Sequence, residues 1–218
     1  MSQIDRGIRR ILRLPAAYNL FQDLIGAHRV RLRWIRECLR PFAGARILDI
    51  GCGTAELLSL LPEDVDYTGF DLSPAYIDSA RRRYRGRGRF TCESVEAFGA
   101  EGSLSVAGSA GNAGHGGYDI AMAFGVLHHL DDEEAHRVFR GAQKALKPSG
   151  RMVTLDSAFV PDQSVLARYL VSRDRGRNVR FPGAYAGLAG EGFKEVRVSV
   201  WHNALRIPYD HAILECRT

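Results

Sequence analysis

The sequence predicts an α/β protein: stacked strand–helix–strand units around a mostly parallel sheet, with one antiparallel strand near the C-terminus. Three observations predict it. Short apolar runs alternate with helical patterns between residues 46 and 156, and such alternation with short connections builds a parallel sheet. The first run, RILDI (46–50), leads straight into Gly51 and Gly53 and then a helical stretch. A loop of this kind lays a nucleotide-like ligand against a strand end. The last two runs, KEVRVSVW (194–201) and YDHAILEC (209–216), alternate or return across a proline-containing loop, as a hairpin does.

In chain order, residues 16–40 space Ala17, Leu20, Phe21, Leu24, Ile25, Leu32, Ile35 and Leu39 at threes and fours, one helical stripe that Pro41 closes. Residues 1–43 are therefore expected to form a helical cap, and 44–218 the core, in a single domain. RILDI is followed by the helical TAELLSLL, DYTGF (66–70) by PAYIDSARRRY, and RFTC (89–92) by the stretch GAEGSLSVAGSAGNAGHGG. That stretch, residues 99–117, is dominated by glycine, alanine and serine and is expected to be a flexible surface loop. YDIAMAF (118–124), the helical DDEEAHRVFRGAQKAL and RMVTLD (151–156) follow. Residues 157–183 mix a short helix with a charged loop and form an insertion on the substrate side.

Composition narrows the class. With 45% apolar and 25% charged residues the chain reads as globular, and no apolar run approaches the roughly 18 residues that cross a bilayer. MSQIDRGIRRILRLP has too short an apolar core for a signal peptide, so a cytoplasmic location is expected. Cys38, Cys52, Cys92 and Cys216 are scattered, with no paired spacing and no histidine at ligand spacing, so neither a disulfide framework nor a metal is expected. A net charge of +5 permits an anionic partner without demanding one.

The glycine loop discriminates between ligands. A dinucleotide fingerprint wants glycine at position 56, where this chain has Glu56, and Asp49 precedes the loop. Two carboxylates there disfavour a pyrophosphate and suit a cationic ligand. ILDIGCGTAE (47–56) resembles the first motif of the class I S-adenosylmethionine-dependent methyltransferases, with Ala55 in place of the last glycine. Three further stretches resemble that family's motifs in order: GFDLSPAYIDSARRR (69–83), FTCESVEAF (90–98), where Ser94 replaces the usual acid, and FGVLHHLDDEEA (124–135) with ALKPSGRMV (145–153), where Ser149 stands for glycine. The resemblance implies a Rossmann-like fold with a seven-stranded sheet. It also implies S-adenosylmethionine as cofactor, with S-adenosylhomocysteine as product, held by Asp49, Gly51, Cys52, Gly53, Asp71, Leu72, Ser94, Val95 and Phe124. Asp71 would accept from the ribose hydroxyls.

A base for a protonated acceptor is expected in LHHL, just past the fourth strand: His128, with His129 beside it. The alternative is that both histidines shape the loop ahead of a helix capped by Asp131 and Asp132. RDRGRNVR (173–180) faces the edge where substrate enters, so Arg173, Arg175 and Arg180 are candidates to grip an anionic acceptor, with Tyr18 and Tyr169 lining its pocket. Tyr185, His202 and His211 are further candidates that packing, with a satisfied polar tip, explains better. The arginines of RRRYRGRGR (81–89) lie at the sheet edge away from the ligand and read as a solvated helix end. The region after the fourth strand lacks an Asn/Asp-Pro-Pro-Tyr/Phe element and a cysteine nucleophile, which argues against nucleic-acid bases as acceptors. The expected function is methyl transfer to an oxygen or nitrogen of a small, anionic molecule. An RNA or protein methyltransferase and a non-catalytic cofactor-binding protein are the alternatives.

Overall fold

The computed structural model describes residues 26–98, 117–174 and 176–218. Tyr18, Arg175, most of the expected cap and nearly all of the glycine-rich loop lie outside the described residues. The seven strands are β1 (Arg46–Ile50), β2 (Asp66–Asp71), β3 (Arg89–Cys92), β4 (Tyr118–Phe124), β5 (Leu146–Ser157), β6 (Glu195–Trp201) and β7 (His211–Arg217). They form one sheet in the order β3-β2-β1-β4-β5-β7-β6. β1 through β5 pair in parallel, and β7 runs antiparallel to both β5 and β6, the expected terminal hairpin. Strand order reverses direction between β1 and β4, the point at which ligands bind in doubly wound sheets.

Period-two alternation divides the strands between two cores. Leu48 and Ile50 of β1 and Ala121 and Ala123 of β4 face one core, which takes in α3 (Asp132–Ala145) and α5 (Pro182–Gly190). Ile47 of β1 and Ile120 and Met122 of β4 face the other, covered by α1 (Ala27–Trp34) and α2 (Pro74–Arg83). α4 (Val165–Ser172) lies in the insertion after β5. α1 runs on into a wider π turn over Ile35–Leu39 and stops at Arg40, which takes a left-handed conformation just before Pro41.

Local chemistry fixes the helix starts. Ser73 accepts from the Tyr76 N–H, with Pro74 in the first turn of α2. Asp131 and Glu134 form a reciprocal capping box at the start of α3. The stretch after β1 is a short 3₁₀ turn, Glu56–Leu60, entered through Ala55 at φ 56°. An alanine there carries left-handed strain that the usual glycine would not.

The arginines at residues 81–89 do more than solvate a helix end. Arg83 pairs with Glu56, Arg81 donates to the Phe90 carbonyl, and Arg87 donates to the carbonyls of Leu61 and Pro62 at 3.0 Å. They tie α2 and its following turn to the neighbouring loops. Glu56 is thus neutralised from outside, and what it contributes at the glycine loop is the absence of a third glycine.

Trp34 is fully buried, its ring edge-on to Phe124 at 5.2 Å, and its indole N–H has no acceptor among the described residues. Trp34→Ala is expected to cost about 3–5 kcal/mol in a denaturant titration, the range for a truncated buried aromatic. Trp34→Phe is expected to cost far less, because it keeps ring packing and removes the buried N–H that lacks an acceptor.

Candidate active site

The carboxyl ends of β1, β2, β4 and β5 converge, and each carries a residue that chemistry can use. β1 ends at Gly51, whose φ of +70° only glycine adopts cheaply, and an added Cβ would lie 2.7 Å from Val126 Cγ2. The β4 loop therefore packs directly on the glycine loop. Gly53 is also left-handed, and its N–H donates to Asp71 Oδ2 at 3.0 Å. Asp71 Oδ1 accepts from the Ser73 N–H at 2.8 Å, so the β2 carboxylate organises both the glycine loop and the start of α2.

A pocket opens beside these groups, lined by Gly51, Phe70, Asp71, Leu72, Glu93, Ser94, Val95 and Glu96. Gly51, Asp71, Leu72, Ser94 and Val95 are brought together as expected from sequence. Glu93 is the residue that sequence reasoning passed over. It is buried, and its N–H donates to the Asp71 carbonyl at 3.1 Å. The signal for it is an acid directly after β3, one residue before Ser94. Cys52 is held by its N–H on the Phe70 carbonyl, and Phe124 packs on Trp34 rather than lining this pocket.

Acidic groups line this pocket and lie behind it: Asp71, Glu93 and Glu96 on its wall, and Asp49 on β1. Asp49 is 2% exposed, and Tyr67 donates to its Oδ2 at 2.5 Å. Burial, with repulsion from Asp71 added, pushes the Asp49 carboxyl up to about 7 in spite of that bond. Burial raises Asp71 as well, against two backbone N–H donors. Two carboxylates that resist ionising together form a site a positive ligand would relieve and a pyrophosphate would not.

The β4 loop departs from expectation. His128 is buried, with Nδ1 2.9 Å from Asp156 Oδ1 at the end of β5 and Nε2 3.3 Å from Asp174 Oδ1. Burial disfavours its charge, yet the bonds to Asp156 and Asp174 outweigh burial and hold its proton affinity up to about 10. Asp174 is correspondingly held well below the carboxylate range, its own burial overcome by His128. With both ring nitrogens facing carboxylates, His128 presents no lone pair to an acceptor in this conformation. In this geometry His128 bridges Asp156 and Asp174 and so ties the β4 loop to the insertion. His129 stacks beside it, ring centroids 4.1 Å apart, and is partly exposed.

The insertion closes on this clamp. Gly176 runs so near His128 that a Cβ would fall 2.3 Å from its ring and carbonyl oxygen. Asp174 Oδ2 accepts from the hydroxyls of Tyr209 and Ser157. Arg180 does not reach outward as a substrate grip: its guanidinium donates to the carbonyls of Leu127, Leu130 and Asn178 and pairs with Asp132. Those bonds need a residue buried against the β4 loop, which a charge-run pattern does not disclose. Tyr169 is exposed on α4 with the Arg173 guanidinium over its ring at 5.4 Å. Tyr185 donates to the Ser157 carbonyl, His202 pairs with Asp210, and burial holds His211 down to about 4, with His128 adding to it.

Residues 48–152 match the methyltransferase domain family. The chain is 31% identical over 127 residues to a ubiquinone biosynthesis O-methyltransferase of Xanthomonas axonopodis pv. citri, covering 56% of this chain and 47% of that protein. It is 32% identical over 127 residues to highly reducing polyketide synthase 2 of Gibberella zeae, covering 51% of this chain and 5% of that protein. The chain thus spans about half the length of the former and a small part of the latter. The structure superimposes on a TehB-like SAM-dependent methyltransferase from Corynebacterium glutamicum with a TM-score of 0.56, at 18% identity, over 86% of this chain and 87% of that one. At that identity the likeness is one of fold.

Two outcomes follow from the glycine loop and its acids. Gly51→Ala is expected to cost about 2–4 kcal/mol in a denaturant titration, from left-handed strain and overpacking together, with Val126→Ala returning part of it. Because the native state keeps the Asp49 proton up to about 7 while the unfolded chain releases it near 3.8, stability of the ligand-free protein should fall as pH rises through that window. Asp49→Asn removes that slope and should leave the protein more stable than wild type at pH 8, read from denaturant midpoints across the pH range.

Proposed function

We propose that this chain, a class I S-adenosylmethionine-dependent methyltransferase by family, transfers the methyl group of S-adenosylmethionine to an oxygen of a small molecule. The observation that carries it is the pair of carboxylates, buried Asp49 and half-buried Asp71, around a glycine loop without the third glycine. That charge favours a cationic ligand. The chain's own residues fit it: Asp71 keeps lone pairs for ribose hydroxyls beyond those that Gly53 and Ser73 use. Phe70, Leu72, Ser94 and Val95 offer an apolar wall with polar edges to a base, and Gly51 and Gly53 let the backbone approach closely. S-adenosylmethionine supplies an electrophilic methyl carbon on a sulfonium.

For such a displacement, alignment of the reactants alone is worth about 7–11 kcal/mol. Val126 against Gly51 sets the spacing between the glycine loop and the β4 loop. The Asp156–His128–Asp174 clamp and Arg180 hold the insertion over the same edge. Arg173 and Arg177 are exposed on that insertion and would meet an anionic acceptor. The match to an O-methyltransferase supports oxygen as the atom methylated.

Thermal shifts test the cofactor. S-adenosylmethionine and S-adenosylhomocysteine should each stabilise the protein, by about 2.7 kcal/mol at a hundred times Kd, and Asp71→Ala should lose that stabilisation. Stabilisation by NAD alone would overturn the proposal. With an acceptor in hand, Arg173→Ala and Arg177→Ala should raise its KM while leaving cofactor affinity unchanged.

A further inference from the structure

We infer that His128, His129 and Asp174 form a binding site for a divalent transition-metal ion of the zinc type, with Asp156 orienting His128 from behind. Among the described residues these three bring one ligand atom each to within 4.8 Å of one another. Two imidazoles and one carboxylate make a donor set that holds zinc while leaving a coordination position open.

Distances support it. His128 Nε2 and Asp174 Oδ1 stand 3.3 Å apart. Tetrahedral zinc with ordinary nitrogen and oxygen bonds sets its ligand atoms about 3.3–3.5 Å apart, so these two atoms already form one edge of the polyhedron. His129, whose ring centroid stands 4.1 Å from that of His128, must turn a ring nitrogen inward to complete the set.

The surroundings resemble the outer shell of a metal centre. His128 Nδ1 meets Asp156 Oδ1 at 2.9 Å, and the same oxygen accepts the His128 backbone N–H at 3.2 Å. A carboxylate behind a ligating histidine fixes its ring and raises its basicity. Asp174 Oδ2 is anchored by Tyr209 and Ser157, while Oδ1 takes the Gly176 N–H at 2.9 Å and faces His128. Two carboxylates, Asp156 and Asp174, stand against the His128 ring, so a divalent ion would meet anionic donors on both sides of it.

The site shares His128 and Asp174 with the clamp of the methyl-transfer proposal, so it is tested with the metal alone, without cofactor or acceptor. Cobalt(II) chloride is titrated into the chelator-treated full-length chain and followed by visible ligand-field absorption. The expected result is a band that saturates at one equivalent and is displaced by one equivalent of zinc. His129→Ala and, independently, Asp174→Asn should each weaken cobalt binding at least about a hundredfold, and Asp156→Asn by about 10–100-fold with stoichiometry unchanged. His202→Ala, an exposed histidine elsewhere, should change nothing. If no band appears, or if His129→Ala and Asp174→Asn bind cobalt as wild type does, the cluster is an ion-paired clamp only and the inference fails.

Discussion

Everything near the site depends on one constraint: a sheet covered on both faces must place its ionised groups at its carboxyl edge, and each must find a partner there. Asp49, Asp71 and Asp156 end β1, β2 and β5, and each solves the problem differently. Asp49 takes a phenol and a high proton affinity, Asp71 takes two backbone donors, and Asp156 takes a histidine. The glycine loop, the start of α2 and the β4 loop are held in place by these solutions. Their arrangement leaves negative charge on one side of the edge and a clamped histidine on the other.

Much of this was legible in the sequence because it is local. RILDI followed by Gly51 and Gly53 encodes a strand, a left-handed turn and close approach within eight residues. Asp71 follows at the spacing of one strand–helix–strand unit, and Asp131 with Glu134 announces a helix start by a reciprocal pair three residues apart. RILDI and YDIAMAF were legible as strands, while the division of their residues between two cores is seen only in the structure.

What stayed hidden involves distant partners. LHHL marks His128 as a candidate site residue, but its contacts with Asp156 and Asp174, 28 and 46 positions further on, lie beyond any local pattern. Arg180 reads as part of a charge run, yet its guanidinium is committed to carbonyls about fifty positions earlier. The proximity of His128, His129 and Asp174 follows no spacing rule either, because it joins two adjacent histidines to a remote aspartate. Glu56 likewise seemed to present its charge to the ligand until Arg83 was found on it.

The position of β7 in the sheet sets an order in time. Among the described residues β6 pairs only with β7, and β7 also completes the edge of β5 and carries Tyr209 toward Asp174 from just before its start. The glycine loop, Asp71 and the parallel strands are all in hand once Ser157 has been made. Tyr209, which bonds Ser157 itself, lies 52 residues later. At about 5–20 residues per second, a ribosome needs roughly 3–10 s to supply it. For that interval a nascent chain holds the ligand-cradling half of its edge and lacks the residue that anchors Asp174, so the two halves of the site have separate birthdays.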